Sequence, residues 1–356
     1  MAPWFGDEEA NAVFQYMKSG GWLTEHKMTK EFENSIATYT GSKFVTAVSN
    51  GTVSLFVALL ALGVGPGDEV LVPDYTMIAT ANAVHLTGAK PILVDVEPES
   101  LCIDPLAMES AITERTKAVM FTNINGRSPK IFDVLHIAEE RKILVIEDAA
   151  QSLGSRVGGK HLGTLGKVGS FSFSTPKIIT TGQGGALLTD DEELDHRIRM
   201  IKDFGRPRGG VDQYEILGYN FKFTDLQAVV GIEQMKKLEA RVVRKKAIYR
   251  LYEETLKGID QIQFIPTDLR DVSPWFIDIL AERRDQLMAH LKSREIGSRP
   301  FYPPIHTQIH YATNAGSFPT ATRASKLGLW LPSSSFLSDE QILEVCDEIR
   351  KFYLKG

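Results

Sequence analysis

Residues 169–185, GSFSFSTPKIITTGQGG, decide the fold. Serine and phenylalanine alternate over the first half of this stretch, which is the period of a strand with one buried face. We expect the strand to end at Pro176, because proline cannot donate to a sheet ladder. Lys177 follows at once, and three glycines then turn the chain into a second apolar run at 186–189. The stretch therefore predicts a primary amine at one end of a sheet, beside hydroxyl groups and a glycine-rich backbone.

This setting of Lys177 suggests a cofactor. An amine held in this way can form a Schiff base with an aldehyde, and hydroxyls with free backbone N–H groups can hold a phosphate. Pyridoxal 5'-phosphate (PLP) carries both groups, so it is the candidate cofactor. A lone lysine in a turn is usually a solvated surface residue, and the hypothesis gains weight only because other segments suit the same molecule.

The segment Ser49-Asn50-Gly51-Thr52 is one of these. It follows a short predicted strand at 44–48 and leads directly into an apolar helix at 53–62. This order points free N–H groups and the positive end of the helix dipole at an anion, such as a phosphate. The alternative is that Thr52 simply caps the helix.

A second segment, Glu147-Asp148-Ala149-Ala150-Gln151, follows the continuously apolar strand at 143–146. Ligands of open α/β sheets lie beyond the carboxyl ends of the strands, so Asp148 is placed to meet one. The ring nitrogen of PLP is a suitable partner, because a carboxylate opposite that nitrogen keeps it protonated. A helix cap or a salt bridge is the alternative role for Asp148.

The composition narrows the class of protein. The chain has 356 residues, 43% of them hydrophobic, and a formal net charge of −5 without long charged runs, which argues against a nucleic-acid partner. The N-terminus lacks an apolar signal core, no stretch is long enough to cross a membrane, and the two cysteines are far apart, so we expect a cytoplasmic protein with reduced thiols. The eight histidines show no metal-binding spacing, and we expect no metal.

Strands that alternate with helices up to residue 240 predict an α/β fold with a mostly parallel sheet. Apolar residues keep helical spacing from Asp225 to Leu251, which predicts one long helix that bridges two lobes. We therefore expect a large α/β domain at 1–240 and a smaller C-terminal α+β domain at 241–356.

With these segments in place, the sequence resembles the DegT/DnrJ/EryC1 family of PLP-dependent nucleotide-sugar aminotransferases over nearly its whole length. The order and spacing of several short motifs carry the resemblance: Gly20-Gly21-Trp22-Leu23-Thr24, Ser49-Asn50-Gly51-Thr52, Pro73-Asp74-Tyr75-Thr76 with Ala79-Thr80-Ala81-Asn82, Glu147-Asp148-Ala149-Ala150-Gln151, 172–177 with 180–185, Gly218-Tyr219-Asn220, and Ser298-Arg299-Pro300 with Pro304-Ile305-His306.

The resemblance implies an aspartate-aminotransferase-like fold (fold type I of PLP enzymes) and a homodimer with active sites at the subunit interface. It makes Lys177 the Schiff-base lysine and Asp148 the partner of the ring nitrogen, and these are the predicted catalytic residues. It places Gln151 near the phenolic oxygen of the cofactor. The implied cofactor-binding residues are Gly51, Thr52, Met77, Asp148, Gln151, Ser172, Lys177 and Asn220, and the implied substrate-binding residues are Trp22 and His306. Among these, Gly51, Thr52 and Ser172 correspond to phosphate contacts, and Asn220 to a residue that reaches the cofactor phosphate of the neighbouring subunit.

Two departures from the family pattern stand out. The family commonly stacks an aromatic residue on the pyridine ring, and Met77 occupies that position here. A thioether can also pack on a ring. The family often has histidine after the strand that ends at Thr122, whereas this chain has asparagine and arginine in residues 123–127.

The implied reaction moves the amino group of glutamate to C4 of a 4-keto-6-deoxyhexose linked to GDP, dTDP or UDP, as in deoxyamino-sugar and polysaccharide biosynthesis. Amination at C3 is the nearest alternative. Relatives that remove the C3 hydroxyl carry histidine in place of the lysine, so Lys177 argues against a 3-dehydratase. A non-catalytic PLP-binding protein is the third alternative, and it is disfavoured because the charged set is complete.

Overall fold

The computed structural model of the chain describes residues 4–312 and 316–354. The helices are α1 (Asp7–Lys18), α2 (Lys27–Thr40), α3 (Gly51–Ala61), α4 (Ala79–Leu86), α5 (Pro105–Ser110), α6 (Ile131–Arg141), α7 (Glu192–Lys202), α8 (Asp225–Lys236), α9 (Leu238–Thr255), α10 (Arg284–Ser293), α11 (Pro319–Leu327) and α12 (Asp339–Leu354). The strands are β1 (Phe44–Val48), β2 (Glu69–Pro73), β3 (Lys90–Val94), β4 (Thr116–Thr122), β5 (Leu144–Asp148), β6 (Arg156–Val157), β7 (Lys160–His161), β8 (Val168–Ser172), β9 (Gly185–Thr189), β10 (Ile262–Phe264), β11 (Ile277–Ala281), β12 (Arg299–Pro300) and β13 (Gly328–Leu331). Two 3-10 turns, Ile124–Gly126 and Ile305–Thr307, follow β4 and β12.

A seven-stranded sheet forms the large domain, with the strand order β1-β9-β8-β5-β4-β2-β3. The pairs β8–β5, β5–β4, β4–β2 and β2–β3 are parallel, and β9 runs antiparallel to both of its neighbours. Because the parallel strands end at the same edge, the loops after β1, β2, β4, β5 and β8 meet there. The predicted mostly parallel α/β sheet is therefore present, and its carboxyl edge collects the predicted site residues.

Strand β8 is buried on both faces, so the expectation of a half-buried strand is wrong. The hydroxyl of Ser170 on one face bonds that of Ser54 in α3, and Phe173 beyond the strand packs edge-on against Phe32 of α2 at 5.1 Å between ring centroids. Helices therefore cover the sheet from both sides. The strand also ends at Ser172 and not next to Pro176, which leaves residues 173–177 as a loop that carries Lys177 out of the sheet.

The predicted single helix from Asp225 is two helices, α8 and α9, which are interrupted at Lys237. The start of α9 packs with the large sheet through Leu238 and Val242, whereas its later residues pack against the small sheet through Ile248 and Tyr252. The domain boundary near residue 240 stays a prediction, and this change of packing partners within α9 favours it.

The C-terminal residues form a four-stranded antiparallel sheet with the order β10-β11-β13-β12, covered by α9, α10 and α12. Its apolar cluster contains Ile277 and Ile279 of β11 and Cys346 of α12. Both cysteines of the chain are buried free thiols. Within residues 4–312 and 316–354, no helix combines the length and the apolar composition that crossing a membrane requires.

Asp225, the first residue of α8, fixes the loop between α1 and α2. Its fully buried carboxylate accepts hydrogen bonds from the backbone N–H groups of His26, Met28 and Thr29 at 2.8–3.0 Å and from the hydroxyls of Thr29 and Tyr16 at 2.7 and 3.0 Å. Burial alone would raise the pKa of Asp225, but these hydrogen bonds, led by that of Thr29, outweigh it and lower the pKa. The ionised carboxylate therefore stabilises the loop that presents Trp22.

We expect Asp225→Asn to reduce the free energy of unfolding by about 2–3 kcal/mol at pH 7. Both oxygens of Asp225 accept hydrogen bonds, whereas the NH2 group of asparagine would face N–H and O–H donors. Since the folded pKa lies below the unfolded value, the contribution of Asp225 is present above pH ~4 and is lost as the pH falls through the folded pKa. Urea unfolding at pH 7 and pH 3 measures both effects.

The matched control is Asp212→Asn, which changes an exposed carboxylate with one ion pair to Arg206. This change should alter stability by no more than about 0.5 kcal/mol. Equal losses in the two variants would show that the Asp225 network does not stabilise the fold.

Candidate active site

The predicted phosphate site lies where α3 begins. Asn50 caps this helix by accepting a hydrogen bond from Val53 N–H at 2.9 Å, so the alternative that Thr52 is the cap is wrong. The hydroxyl of Thr52 makes no hydrogen bond in the described part of the chain, and the first two N–H groups of α3 lie ahead of any intrahelical acceptor. These donors point out of the helix at its positive end.

Gly51 and Ser172 face each other across this site. A Cβ atom at Gly51 would lie 2.7 Å from the Cβ of Ser172, so only glycine lets the end of β8 approach the start of α3 this closely. Gly185 of β9 pairs with both Val48 and Ser172 in the sheet, which holds the two segments together. The helix start and the serine hydroxyl form a cradle of donors that suits a phosphate.

Asp148, the last residue of β5, is 4% exposed. Its carboxylate accepts hydrogen bonds from the Thr80 hydroxyl at 2.7 Å and from Ala150 N–H at 3.2 Å. Among residues 4–312 and 316–354 it makes no ion pair, and it does not cap a helix. Burial raises the pKa of Asp148 above its ordinary value, against the hydrogen bond of Thr80 and the charge of Lys177. A buried carboxylate without a cationic partner suits the protonated nitrogen of a bound ring.

Lys177 lies in the loop after β8 and extends its amine into the same cleft. Burial lowers the pKa of Lys177 to about 8, and the nearby charge of Asp148 acts in the opposite direction. The Nζ atom lies 3.8 Å from the centroid of the Trp275 ring, and Trp275 Nε1 donates to the Pro176 carbonyl at 2.6 Å. The result is an amine that changes protonation state near neutral pH.

Gln151 lines the same cavity as Ser172, Lys177 and Trp275. Its Oε1 accepts a hydrogen bond from Asn125 N–H at 2.8 Å, and its NH2 group has no partner within the described residues. The cleft thus offers an amine, an unpaired carboxylate, an amide donor and an anion cradle. This set matches the aldehyde, the ring nitrogen, the phenolic oxygen and the phosphate of PLP, so the residues fit the predicted cofactor.

The other two predicted cofactor residues, Met77 and Asn220, are both exposed. Met77 is 45% exposed in the loop between β2 and α4, and its sulfur accepts from Ala79 N–H at 3.0 Å. Asn220 is exposed, and its backbone pairs with Asp203 in an isolated bridge. Neither side chain makes a hydrogen bond to Lys177 or Asp148, and their roles at the cofactor stay predictions.

The two predicted substrate residues also lie outside the cavity of Lys177. Trp22 is 65% exposed, and its Nε1 donates to the Thr24 hydroxyl at 2.6 Å. His306 Nδ1 bonds the buried carboxylate of Asp74 at 2.6 Å, and the ring stacks on Phe318 at 4.9 Å between centroids. Burial raises the pKa of Asp74, against the hydrogen bond of His306.

Sequence reasoning missed three residues that shape the site. Thr80 belongs to the motif Ala79-Thr80-Ala81-Asn82, but its hydrogen bond to Asp148 depends on how α4 lies against the end of β5. Trp275 lies in an apolar run, where an aromatic residue is usually part of a core, so the sequence gives no sign of its contact with Lys177. Asp74 belongs to another motif, and its pairing with His306 joins positions 232 residues apart.

Comparison with known proteins agrees with this geometry. The DegT/DnrJ/EryC1/StrS aminotransferase family profile matches residues 4–350. The chain is 36% identical over 329 residues to the GDP-perosamine synthase of Escherichia coli O157:H7, covering 91% of this chain and 90% of that protein.

Solved structures give the same result. The aminotransferase TlmJ from Streptoalloteichus hindustanus superposes with a TM-score of 0.94 at 32% identity, covering 100% of this chain and 99% of that chain. A protein of Streptococcus pneumoniae described as a sugar aminotransferase, solved in its PLP form, superposes with a TM-score of 0.94 at 25% identity, covering 99% of this chain and 98% of that chain. The predicted family and the predicted fold type I architecture are confirmed.

We expect Lys177 in the cofactor-free protein to react with an amine-specific reagent with a midpoint near pH 8, since burial lowers its pKa to about 8. The neutral amine is the reactive form, so about 10% of Lys177 is reactive at pH 7. Mass spectrometry of the labelled peptide as a function of pH gives the midpoint. Exposed lysines in the same digest are the internal reference, and a Lys177 midpoint near 10.5 would contradict the assigned environment.

Asp148→Asn should weaken PLP binding by on the order of 10- to 150-fold, because it removes one charge-assisted hydrogen bond of about 1.5–3 kcal/mol. Absorbance titration of the cofactor-free protein with PLP measures the dissociation constant.

The neighbouring Glu147→Gln is the control for Asp148→Asn. Glu147 is also buried, but its carboxylate accepts from the N–H groups of Gly163, Leu165 and Gly166. Glu147→Gln should therefore lower thermal stability and leave the dissociation constant within about threefold. Similar binding losses in both variants would show that Asp148 has no special role.

Proposed function

Because the chain belongs to the DegT/DnrJ/EryC1/StrS aminotransferase family, whose members depend on PLP, we propose that it transfers the amino group of glutamate to C4 of a nucleotide-linked 4-keto-6-deoxyhexose. The product is a 4-amino-4,6-dideoxy sugar on GDP, dTDP or UDP. The observation that carries this proposal is the Lys177 amine with a pKa of about 8, in one cleft with the unpaired Asp148 carboxylate and a phosphate cradle. The similarity to GDP-perosamine synthase supports a 4-keto acceptor.

Each side chain has a defined task in this reaction. PLP, when bound, supplies an aldehyde for the amine and a ring that accepts electrons released on proton abstraction. Asp148 would keep the ring nitrogen protonated, and the cradle around Gly51, Thr52 and Ser172 would bind the phosphate. Lys177, as the free amine, would take a proton from the α-carbon of glutamate in the first half of the reaction and would give a proton to C4 of the sugar in the second half. Since its pKa is about 8, both forms of the amine are accessible near neutral pH, as a group that acts as base and acid requires.

Arg299 is a candidate binding partner for an anionic group of the substrate. Its guanidinium makes no ion pair within residues 4–312 and 316–354 and lies 5.7 and 5.5 Å from the ring centroids of Tyr302 and Trp330. Burial raises the pKa of Tyr302 to about 12, with the charge of Arg299 lowering it and that of Asp148 raising it. The charges of Arg299 and Asp148 therefore both act on Tyr302. A free guanidinium suits the carboxylate of glutamate or the diphosphate of a nucleotide sugar.

His306 and Trp22, which lie outside the cavity of Lys177, are the proposed contacts for the sugar acceptor. The bond to Asp74 fixes the orientation of the imidazole, and His306 Nε2 makes no hydrogen bond in the described part of the chain. That nitrogen is free to contact a sugar hydroxyl. The exposed indole of Trp22 offers an apolar face for the sugar or its base.

We also propose that the active enzyme is a cytoplasmic homodimer with shared active sites. The exposed position of Asn220, next to the bridge at Asp203, suits a residue that reaches into a neighbouring subunit. Phe14 and Met17 of α1 and Trp22 in the next loop are each more than half exposed. Such apolar exposure on one side of a chain is typical of an interface.

Purified protein with PLP and L-glutamate should convert a 4-keto-6-deoxyhexose, offered in a panel linked to GDP, dTDP and UDP, to a product aminated at C4. Mass spectrometry and NMR identify the product, and 2-oxoglutarate should form in equal amount. Lys177→Ala should lose the visible absorbance band of the bound cofactor and all turnover.

The other outcomes separate the alternatives. An amino group at C3 would make the protein a 3-aminotransferase, and loss of the C3 hydroxyl with release of ammonia would make it a 3-dehydratase. A visible band without any product from the panel would contradict the proposed acceptor class. The absence of both a band and a product would contradict the enzyme assignment and favour a non-catalytic protein.

A further inference from the structure

The loop after β4 departs from the family pattern, and its centre is Asn125. This residue is 2% exposed and has a φ of +53°, in the left-handed region that asparagine tolerates better than most residues. The loop lies between the cavity of Lys177 and strand β11 of the small domain. Asn125 makes hydrogen bonds to Gln151, which lines that cavity, and to Asp278 of β11.

Three side-chain hydrogen bonds fix Asn125 to the small domain. Its Nδ2 donates to the Phe276 carbonyl and to Asp278 Oδ1, both at 2.9 Å, and its Oδ1 accepts from Phe276 N–H at 2.7 Å. The whole amide is used, so its orientation and that of the backbone at Asn125 are determined.

A buried ion pair supports the same contact. Arg127 and Asp278 are each at most 2% exposed and bond through Nη2–Oδ2 at 2.7 Å and Nη1–Oδ1 at 3.1 Å. Burial alone would lower the pKa of Arg127, but the charge of Asp278 outweighs it and raises the pKa. A buried pair of this kind is costly to break from one side, so it holds the loop against β11.

The fixed backbone at Asn125 in turn determines how Gln151 is oriented. Asn125 N–H donates to Gln151 Oε1 at 2.8 Å in a buried environment. If the Gln151 amide were reversed, its NH2 group would meet this N–H and leave a buried donor without an acceptor, which is unfavourable. The amide oxygen therefore points at Asn125, and the NH2 group is left for the cavity that Gln151 shares with Lys177.

We propose that Asn125 is a positioning residue: anchored to Phe276 and Asp278, it orients Gln151 so that the amide NH2 donates a hydrogen bond to an oxygen of the molecule bound beside Lys177. This inference rests on the proposed function in that the bound molecule is taken to be PLP. A donor to its phenolic oxygen stabilises the deprotonated form of the bound chromophore, so Asn125 helps to set the pH at which the visible band changes.

The test is a double-mutant cycle with the visible band of the PLP-loaded protein as readout. Asn125→Gly keeps the left-handed backbone and removes the anchoring side chain, whereas Gln151→Ala removes the donor itself. Each single variant should raise the pKa of the band by about 0.4 to 1 pH unit, which corresponds to the loss of one hydrogen bond. The double variant should show no more than the shift of Gln151→Ala alone, because Asn125 acts through Gln151.

Asn123→Ala is the matched control. Asn123 is a buried asparagine of the same loop, and its side chain bonds Glu147 and Ser128, not Gln151. It should lower the melting temperature without moving the pKa of the band. If Asn125→Gly does not fold, Asn125→Ser replaces it in the cycle, since serine removes the anchoring amide without placing a second buried carboxylate beside Asp278.

An unchanged band pKa in the Asn125 variant would overturn the proposal. A shift of equal size in the presence and absence of Gln151 would overturn it too, because the effect would then bypass Gln151. The proposed function fails in a different way: the wild-type protein would show no visible band with PLP, or would show the band and aminate no sugar.

Discussion

Two groups of opposite charge, Asp148 and Lys177, share one buried cleft without forming a direct ion pair. Burial shifts both toward neutrality, raising the pKa of Asp148 and lowering that of Lys177 to about 8. Each group alone would be a cost to the fold. A molecule with a basic ring nitrogen and an aldehyde would offset both costs at once, because the nitrogen could pair with the carboxylate and the aldehyde could react with the amine. The charges of the cleft therefore suit PLP, the cofactor of the family.

The topology of the sheet brings these groups together. Asp148 ends β5, Ser172 ends the neighbouring β8, and Gly51 follows β1, one antiparallel strand further along. The antiparallel β9 begins at Gly185, at the edge where the others end, and its glycine allows α3 to approach. The parallel arrangement of the strands therefore determines which loops meet. The small residues at the strand ends determine how closely those loops approach one another. The phosphate cradle and the amine of Lys177 therefore lie at the same carboxyl edge of the sheet.

Much of this could be predicted from sequence, because strand ends are visible in the pattern of residues. Asp148 and Lys177 stand directly after apolar or alternating runs, and their meeting follows from the parallel sheet. The alternation of serine and phenylalanine in β8 was misleading, since α3 covers the serine face and Ser54 satisfies Ser170 there. The apolar residues keep helical spacing across Lys237, so the sequence pattern does not indicate the break between α8 and α9. Trp275 and Asn125 could not be placed either, because their contacts depend on how the small domain docks.

That docking affects the chemistry of the lysine directly. The ring that lies 3.8 Å from Lys177 Nζ belongs to Trp275, at the start of the small-domain segment that continues into β11. The backbone carbonyl of Trp275 accepts a hydrogen bond from Lys245 Nζ at 2.8 Å. Trp275 Nε1 donates one to the carbonyl of Pro176, the residue before Lys177. An aromatic face stabilises the protonated amine, whereas burial destabilises it. Because Trp275 leads into β11 and Lys177 follows β8, this contact depends on how the two segments pack together. The Arg127–Asp278 pair joins the loop after β4 to β11, and so supports the docking that places the Trp275 ring against Lys177.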